Sequence, residues 1–162
     1  MGLNVSDIDA SLTRRSAMIS AAAFLLFVRP THSAEEEVVT VHKDLRCGCC
    51  SVWMQHLQKN GFVTKAADTT NIDGVKSRFG VPADLATCHT AEVAGYVIEG
   101  HVPAIAIKRL LAEKPNAIGL AVAGMPVGSP GMEGGRPEPY DVVLFGRSER
   151  RIYMRFVGER QI

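Results

Sequence analysis

The chain has 162 residues, 46% of them hydrophobic, and 18 basic against 17 acidic side chains give a formal net charge of +1. Setting aside Arg14, Arg15 and Arg29 with Asp7 and Asp9, which all fall in the first 34 residues, leaves 15 of each sign. A near-neutral remainder excludes an electrostatic case for nucleic acid or an anionic membrane surface as partner, and the length and apolar content suit one domain with a real core.

Residues 1–34 read as an export leader. Thr13-Arg14-Arg15-Ser16 precedes Ala17 to Val28, an uncharged and mostly apolar run. It is too short to span a bilayer but suits the core of a signal peptide. The stretch resembles a twin-arginine signal, although Ala17 stands where a bulky aromatic is usual. Cleavage is expected near Ser33 or Ala34, which leaves a mature domain over 35–162 in the periplasm with no membrane segment. That compartment is oxidising, so the thiols matter.

The mature chain opens with Val38-Val39-Thr40-Val41, a β-branched run that predicts a strand to about His42. Arg46-Cys47-Gly48-Cys49-Cys50-Ser51 follows, and then Trp53, Met54 and Leu57 at helical spacing to about Asn60. The cysteines therefore fall where a strand ends and a helix begins. Gly61 breaks the helix, and Phe62 to Ala67 predicts a second strand. Asn71 to Phe79 predicts a short helix, and Pro82 with Asp84 a turn into Thr87-Cys88-His89-Thr90. Tyr96-Val97-Ile98 predicts a short strand with Tyr96 in its core, Ala104 to Glu113 a helix, and Tyr140 to Phe145 with Ile152 to Val157 a hairpin around a charged turn. Between them, Met125 to Gly135 is too rich in Gly and Pro for helix or central strand. Loops of that length are usually functional or disordered. This order predicts an α/β domain with a mixed sheet, flanking helices and a C-terminal β-hairpin.

Four cysteines are few for a disulfide scaffold, and three of them occupy four consecutive positions. The cluster therefore points to metal or redox chemistry. Cys47 and Cys50 form a C-x-x-C at the thioredoxin position, with Pro103 as a candidate for the cis-proline that faces such a site. Cys49 departs from that motif by adding a third sulfur. Adjacent thiols strain one tetrahedral zinc site, which takes pairs from two loops, and suit thiolate-bridged Cu(I) better. Cys88, His89 and His101 add donors, and Met125 and Met132 offer thioethers from the loop. A helix N-terminus and the neighbouring Arg46 are expected to lower the thiol pKa values. Trp53 reads as core, and His42 and His56 as surface residues.

Cys47-Gly48-Cys49-Cys50 with Trp53, Thr87-Cys88-His89-Thr90, Gly95 to Ala104, and Gly124-Met125-Pro126 through Gly131-Met132-Glu133 carry a specific resemblance. In that order they resemble the CopG-like copper-resistance family of small periplasmic proteins with a thioredoxin-like fold. The resemblance implies copper bound at the C-x-C-C turn and the Cys-His pair, as a multinuclear Cu(I)–thiolate cluster, with cycling between Cu(I) and Cu(II). It also implies other periplasmic copper-handling proteins as partners. Two readings stay beside it: a thiol–disulfide oxidoreductase using Cys47 and Cys50, and, last, a structural zinc domain. Without metal the thiols are expected to pair, as Cys47–Cys50 or as Cys49–Cys88.

Overall fold

A computed structural model describes residues 37–162. The leader, its arginine pair and its cleavage region lie outside the described residues. Strand β1 (Val38–Lys43) buries Val39 and Val41 completely and is followed by α1 (Gly48–Lys59) and β2 (Val63–Asp68). Helix α2 (Ile72–Arg78) starts at Asn71, whose side chain accepts the Gly74 N–H at 2.9 Å, the usual way a polar cap satisfies an orphan donor. A single 3-10 turn, Ala83–Leu85, leads into β3 (His89–Val93) and, through the tight Ala94-Gly95 turn, β4 (Tyr96–Gly100). Then come α3 (Ala104–Glu113), β5 (Gly119–Val122), β6 (Pro139–Phe145), β7 (Arg150–Val157) and β8 (Arg160–Gln161).

The strands form one sheet in the order β2-β1-β3-β4-β5-β6-β7-β8. β1 and β2 run parallel, as do β4 and β5, and every other neighbouring pair is antiparallel. The predicted α/β architecture, with a mixed sheet, flanking helices and a hairpin near the C-terminus, is the one found. Trp53 and Leu57 of α1 and Ile107 and Leu110 of α3 are fully buried with Val39, Ile98, Leu120 and Phe156 of the sheet. Tyr96 packs at the margin of this core and donates its hydroxyl to the Pro115 carbonyl at 2.9 Å.

Three strands were not legible as such: β3, β5 and the two-residue β8. β3 is buried on both faces and includes His89 and Thr90, so it shows no apolar–polar alternation. β5 is only Gly-Leu-Ala-Val, and a Cβ at Gly119 would run into the Val97 backbone, so close strand approach rather than β-branching defines it. Their pairing positions the site. Lys43 at the end of β1 sits opposite His89 at the start of β3, and Gly100 at the end of β4 sits opposite Val122 at the end of β5. The cysteine turn, the Cys88-His89 entry, His101 and the Gly/Pro loop therefore all leave the sheet at one edge.

Pro103 corrects an expectation. All described peptide bonds are trans, Pro103 included. Its extended backbone (φ −62°, ψ 142°) makes it the residue before the first turn of α3, where its carbonyl accepts from Ala106 and Ile107. A proline feeding straight into a helix needs no other isomer.

His56 and His42 are not plain surface residues either. His56 accepts the Ala104 N–H at 3.1 Å, so α1 supplies the cap that α3 lacks, and its other nitrogen faces Glu159 at 3.1 Å. His42 packs against Phe79 with the rings tilted and 5.4 Å apart, and lies 3.5 Å from Glu92. Burial holds the His56 pKa below its usual 6.5, against an opposing pull from Glu159. The unfolded chain then takes up a proton near pH 6.5 that the fold resists, so stability present above that pH is lost as the pH falls below it. Melting temperature is expected to drop more steeply from pH 7 to pH 5 in the parent protein than in His56→Gln. Parallel curves would contradict it.

No helix among the described residues is long and apolar enough to cross a membrane.

Candidate metal centre

The turn after β1 is closed by Asp44, whose carbonyl accepts the Cys47 N–H at 3.0 Å and whose carboxylate accepts the Arg46 N–H at 2.8 Å. That leaves Cys47 at the N-cap of α1 and puts Cys49 and Cys50 in its first turn, as the sequence predicts. Cys47 and Cys50 are joined in a disulfide, one of the two expected pairings. Cys49 and Cys88 are free and half-buried.

The edge of the sheet brings the distant residues to them. The Cys88 Sγ lies 3.7 Å from Cys50 Sγ and 3.8 Å from Cys49 Sγ, and Cys49 Sγ lies 3.6 Å from Cys47 Sγ. On its other side Cys88 Sγ lies 3.3 Å from His89 Nδ1 and 3.3 Å from His101 Nε2. Among the described residues two groups could therefore hold a metal ion: Cys88, His89 and His101 as they stand, and Cys47, Cys49, Cys50 and Cys88 once the Cys47–Cys50 disulfide is reduced. Cys88 belongs to both.

The histidines are set in the state a metal needs. A proline carbonyl can only accept, so the 2.7 Å contact between His101 Nδ1 and Pro130 O fixes the proton on Nδ1 and leaves the Nε2 lone pair facing Cys88. Burial lowers the His101 pKa against that carbonyl's pull. His89 is fully buried, with its ring 4.4 Å from Trp53 and edge-on to His101 at 5.2 Å. Burial pushes its pKa well below 6.5, helped by the nearby His101 and Lys76. Its Nε2 is buried without a hydrogen-bond partner. Trp53 is core, as predicted, and donates its indole N–H to the Val102 carbonyl at 2.9 Å, which ties α1 to the segment between His101 and α3.

The Cys88 pKa is a separate matter from the thiols at the helix start, since Cys88 lies just before β3. Burial pushes it up to about 12, with neighbouring Cys49 adding to the rise. Arg46 does not oppose this, because its side chain is 92% exposed and faces its own Asp44. A metal ion bound there would have to displace the Cys88 proton rather than meet a ready thiolate.

The Gly/Pro loop lies over the site. Gly131 has φ +89°, and a Cβ there would sit 2.8 Å from Cys49 O, 3.0 Å from Trp53 N and 3.1 Å from His101 Nδ1. Only glycine fits both the backbone and the space. Gly131→Ala is expected to cost roughly 1–3 kcal/mol of stability and to loosen the Pro130 contact to His101, read as a lower melting temperature and a changed His101 imidazole signal by NMR. An unshifted signal would contradict the loop's role. Met132 follows Gly131 and is half-buried, whereas Met125 is 37% exposed on its own left-handed turn. Gly131 was read only as part of the Gly/Pro loop and its matched motif, and Pro130 only as part of the loop; neither was given a role at the site. Nor was Glu99, although a carboxylate directly after the run Tyr96 to Ile98 was a visible signal; Lys76, its partner at 2.6 Å, carried none.

Residues 85–132 match a family described as "Protein of unknown function, DUF411". No curated protein matches the chain. Two solved structures are similar to it, "Copper resistance protein copG- Form 2" and "Copper resistance protein copG- Form 1", each at 44% identity with a TM-score of 0.72. The alignment to the first covers 75% of this chain and 99% of the other, and that to the second 76% and 100%.

Proposed function

Because the chain belongs to the CopG-like copper-resistance family, we propose that it binds copper as Cu(I) at the cysteine cluster and serves copper resistance in the periplasm. The observation that carries this reading is Cys88, whose sulfur stands within reach of three other sulfurs on one side and two neutral imidazoles on the other. A thiolate shared in that way bridges metal ions, and bridging is a habit of soft Cu(I). Zinc ranks second, since a closed tetrahedral site does not use three sulfurs from one helix start. The ligands proposed are Cys47, Cys49, Cys50, Cys88, His89 and His101, with Met125 and Met132 as the thioether donors offered by the loop.

Copper is cargo in this reading. Sulfur would hold it as Cu(I) and the imidazole pair would accommodate Cu(II), so cycling between the two states, with one electron per copper exchanged with an external redox partner, is part of the proposal. Export by the twin-arginine leader and exchange with other periplasmic copper-handling proteins belong to it as well. Anaerobic titration of the reduced protein with Cu(I) tests it: more than one copper per chain is expected, and none bound would end the reading.

A second reading, thiol–disulfide oxidoreductase, is favoured by the Cys47–Cys50 disulfide and by Cys88 lying 3.7 Å from Cys50. The trans Pro103 removes its other support. Rapid insulin reduction by Cys49→Ala protein without copper would put this reading first.

A further inference from the structure

Cys88 is the shared donor of the centre, yet it sits in a short connection between the 3-10 turn and β3, not on a long element. Something has to hold it. On both sides of the Cys88-His89 pair stands a threonine, and both threonines are bound to one carboxylate. Glu99, fully buried on β4, accepts from the Thr87 N–H at 2.6 Å and the Thr87 hydroxyl at 2.9 Å on Oε1, and from the Thr90 hydroxyl at 2.7 Å on Oε2. Lys76 of α2, itself 6% exposed, donates to Oε1 at 2.6 Å and to the Thr90 hydroxyl at 3.0 Å.

We propose that Glu99, charge-balanced by Lys76, is the positioning residue of the metal centre, clamping Thr87 and Thr90 so that Cys88 and His89 face the C-x-C-C turn. The proposal rests on the copper reading above and deepens it. An ion pair this buried is weak evidence for stability, because desolvating both charges offsets most of their attraction. Its geometry fits another use. Every short bond to the carboxylate ends on the segment that carries Cys88, apart from the lysine that neutralises it. Gly100 makes the link to His101: with φ +72° and no room for a Cβ against Val122 O and Thr87 Oγ1, it lets β4 bring Glu99 behind the pair while the next residue reaches Cys88. The carboxylate touches no candidate ligand atom. It acts through backbone and hydroxyl contacts, as the outer partners of metal ligands do.

The test uses Glu99→Gln, which turns an amide N–H₂ toward donors and leaves Lys76 without its counter-charge, and Thr87→Val, which keeps the ion pair and removes one hydroxyl. Val142→Ala, in the core on β6, serves as a control for simple loss of stability. Two quantities are read at a temperature where each protein is folded. One is Cu(I) affinity by competition with a chromophoric chelator. The other is the alkylation rate of Cys88 in the reduced, copper-free protein, assigned by peptide mass spectrometry. Glu99→Gln is expected to weaken Cu(I) about tenfold or more and to speed Cys88 alkylation. Thr87→Val should do both to a smaller degree, and Val142→Ala neither. If Glu99→Gln does not fold, Thr87→Val carries both readouts. Unchanged Cys88 alkylation and affinity in the clamp variants, or the same changes in Val142→Ala, would overturn the clamp. Failure of the parent protein to bind Cu(I) would end the copper reading alone, and the alkylation rates would still decide the clamp.

Discussion

Cys88→Ser is expected to strip the protein of roughly half its copper or more, since it removes a soft thiolate from both donor groups at once. Cys47→Ser should be milder. Cys47 belongs only to the four-sulfur group, so its loss leaves Cys88, His89 and His101 intact. Metal-to-protein ratios after anaerobic loading, with sulfur-edge spectra for the number of copper–sulfur bonds, check the ranking. Equal losses in the two variants would argue that the groups do not share a sulfur. The raised pKa of Cys88, about 12 from burial, adds a pH signature. Each thiol proton displaced makes binding about tenfold stronger per pH unit below the thiol pKa. Part of this slope should disappear in Cys88→Ser.

Oxidised protein should bind far less Cu(I) than reduced protein. With Cys47 and Cys50 joined, two of the four sulfurs are no longer thiolates, and only Cys49 and Cys88 remain free. Aerobically purified, metal-free protein is expected to show two alkylatable thiols, and a phosphine reductant should restore all four together with the missing copper capacity. Four free thiols before reduction would contradict the pairing. Full copper loading of the disulfide form would show that the four-sulfur group is not the principal site.

Much of this molecule is legible along the chain. The helix at Ala104–Glu113 and the strands at Val38 and Val63 follow from hydrophobic period and from glycine and proline stops. The hairpin of β6 and β7 follows from alternation around a charged turn. The cysteine turn was readable because thiols clustered between a strand and a helix have few structural uses. β3 and β5 were not readable: one carries its polar residues inward, the other is defined by small residues packed against a neighbouring backbone. His56 looked like a surface residue because its partners, Ala104 and Glu159, are far away in sequence.

The sequence by itself determined the donor chemistry: four sulfurs, the histidines beside them, and a glycine-rich loop, all local in type and spacing. Only the tertiary structure decided which of these meet, that Cys88 stands between sulfur and imidazole, and that Glu99 and Lys76 lie behind it. The reason is that strand register and burial are properties of pairs of distant segments. A carboxylate on one strand and an ammonium on a helix acquire their meaning only when folding removes water from between them and leaves each the other's nearest compensating charge.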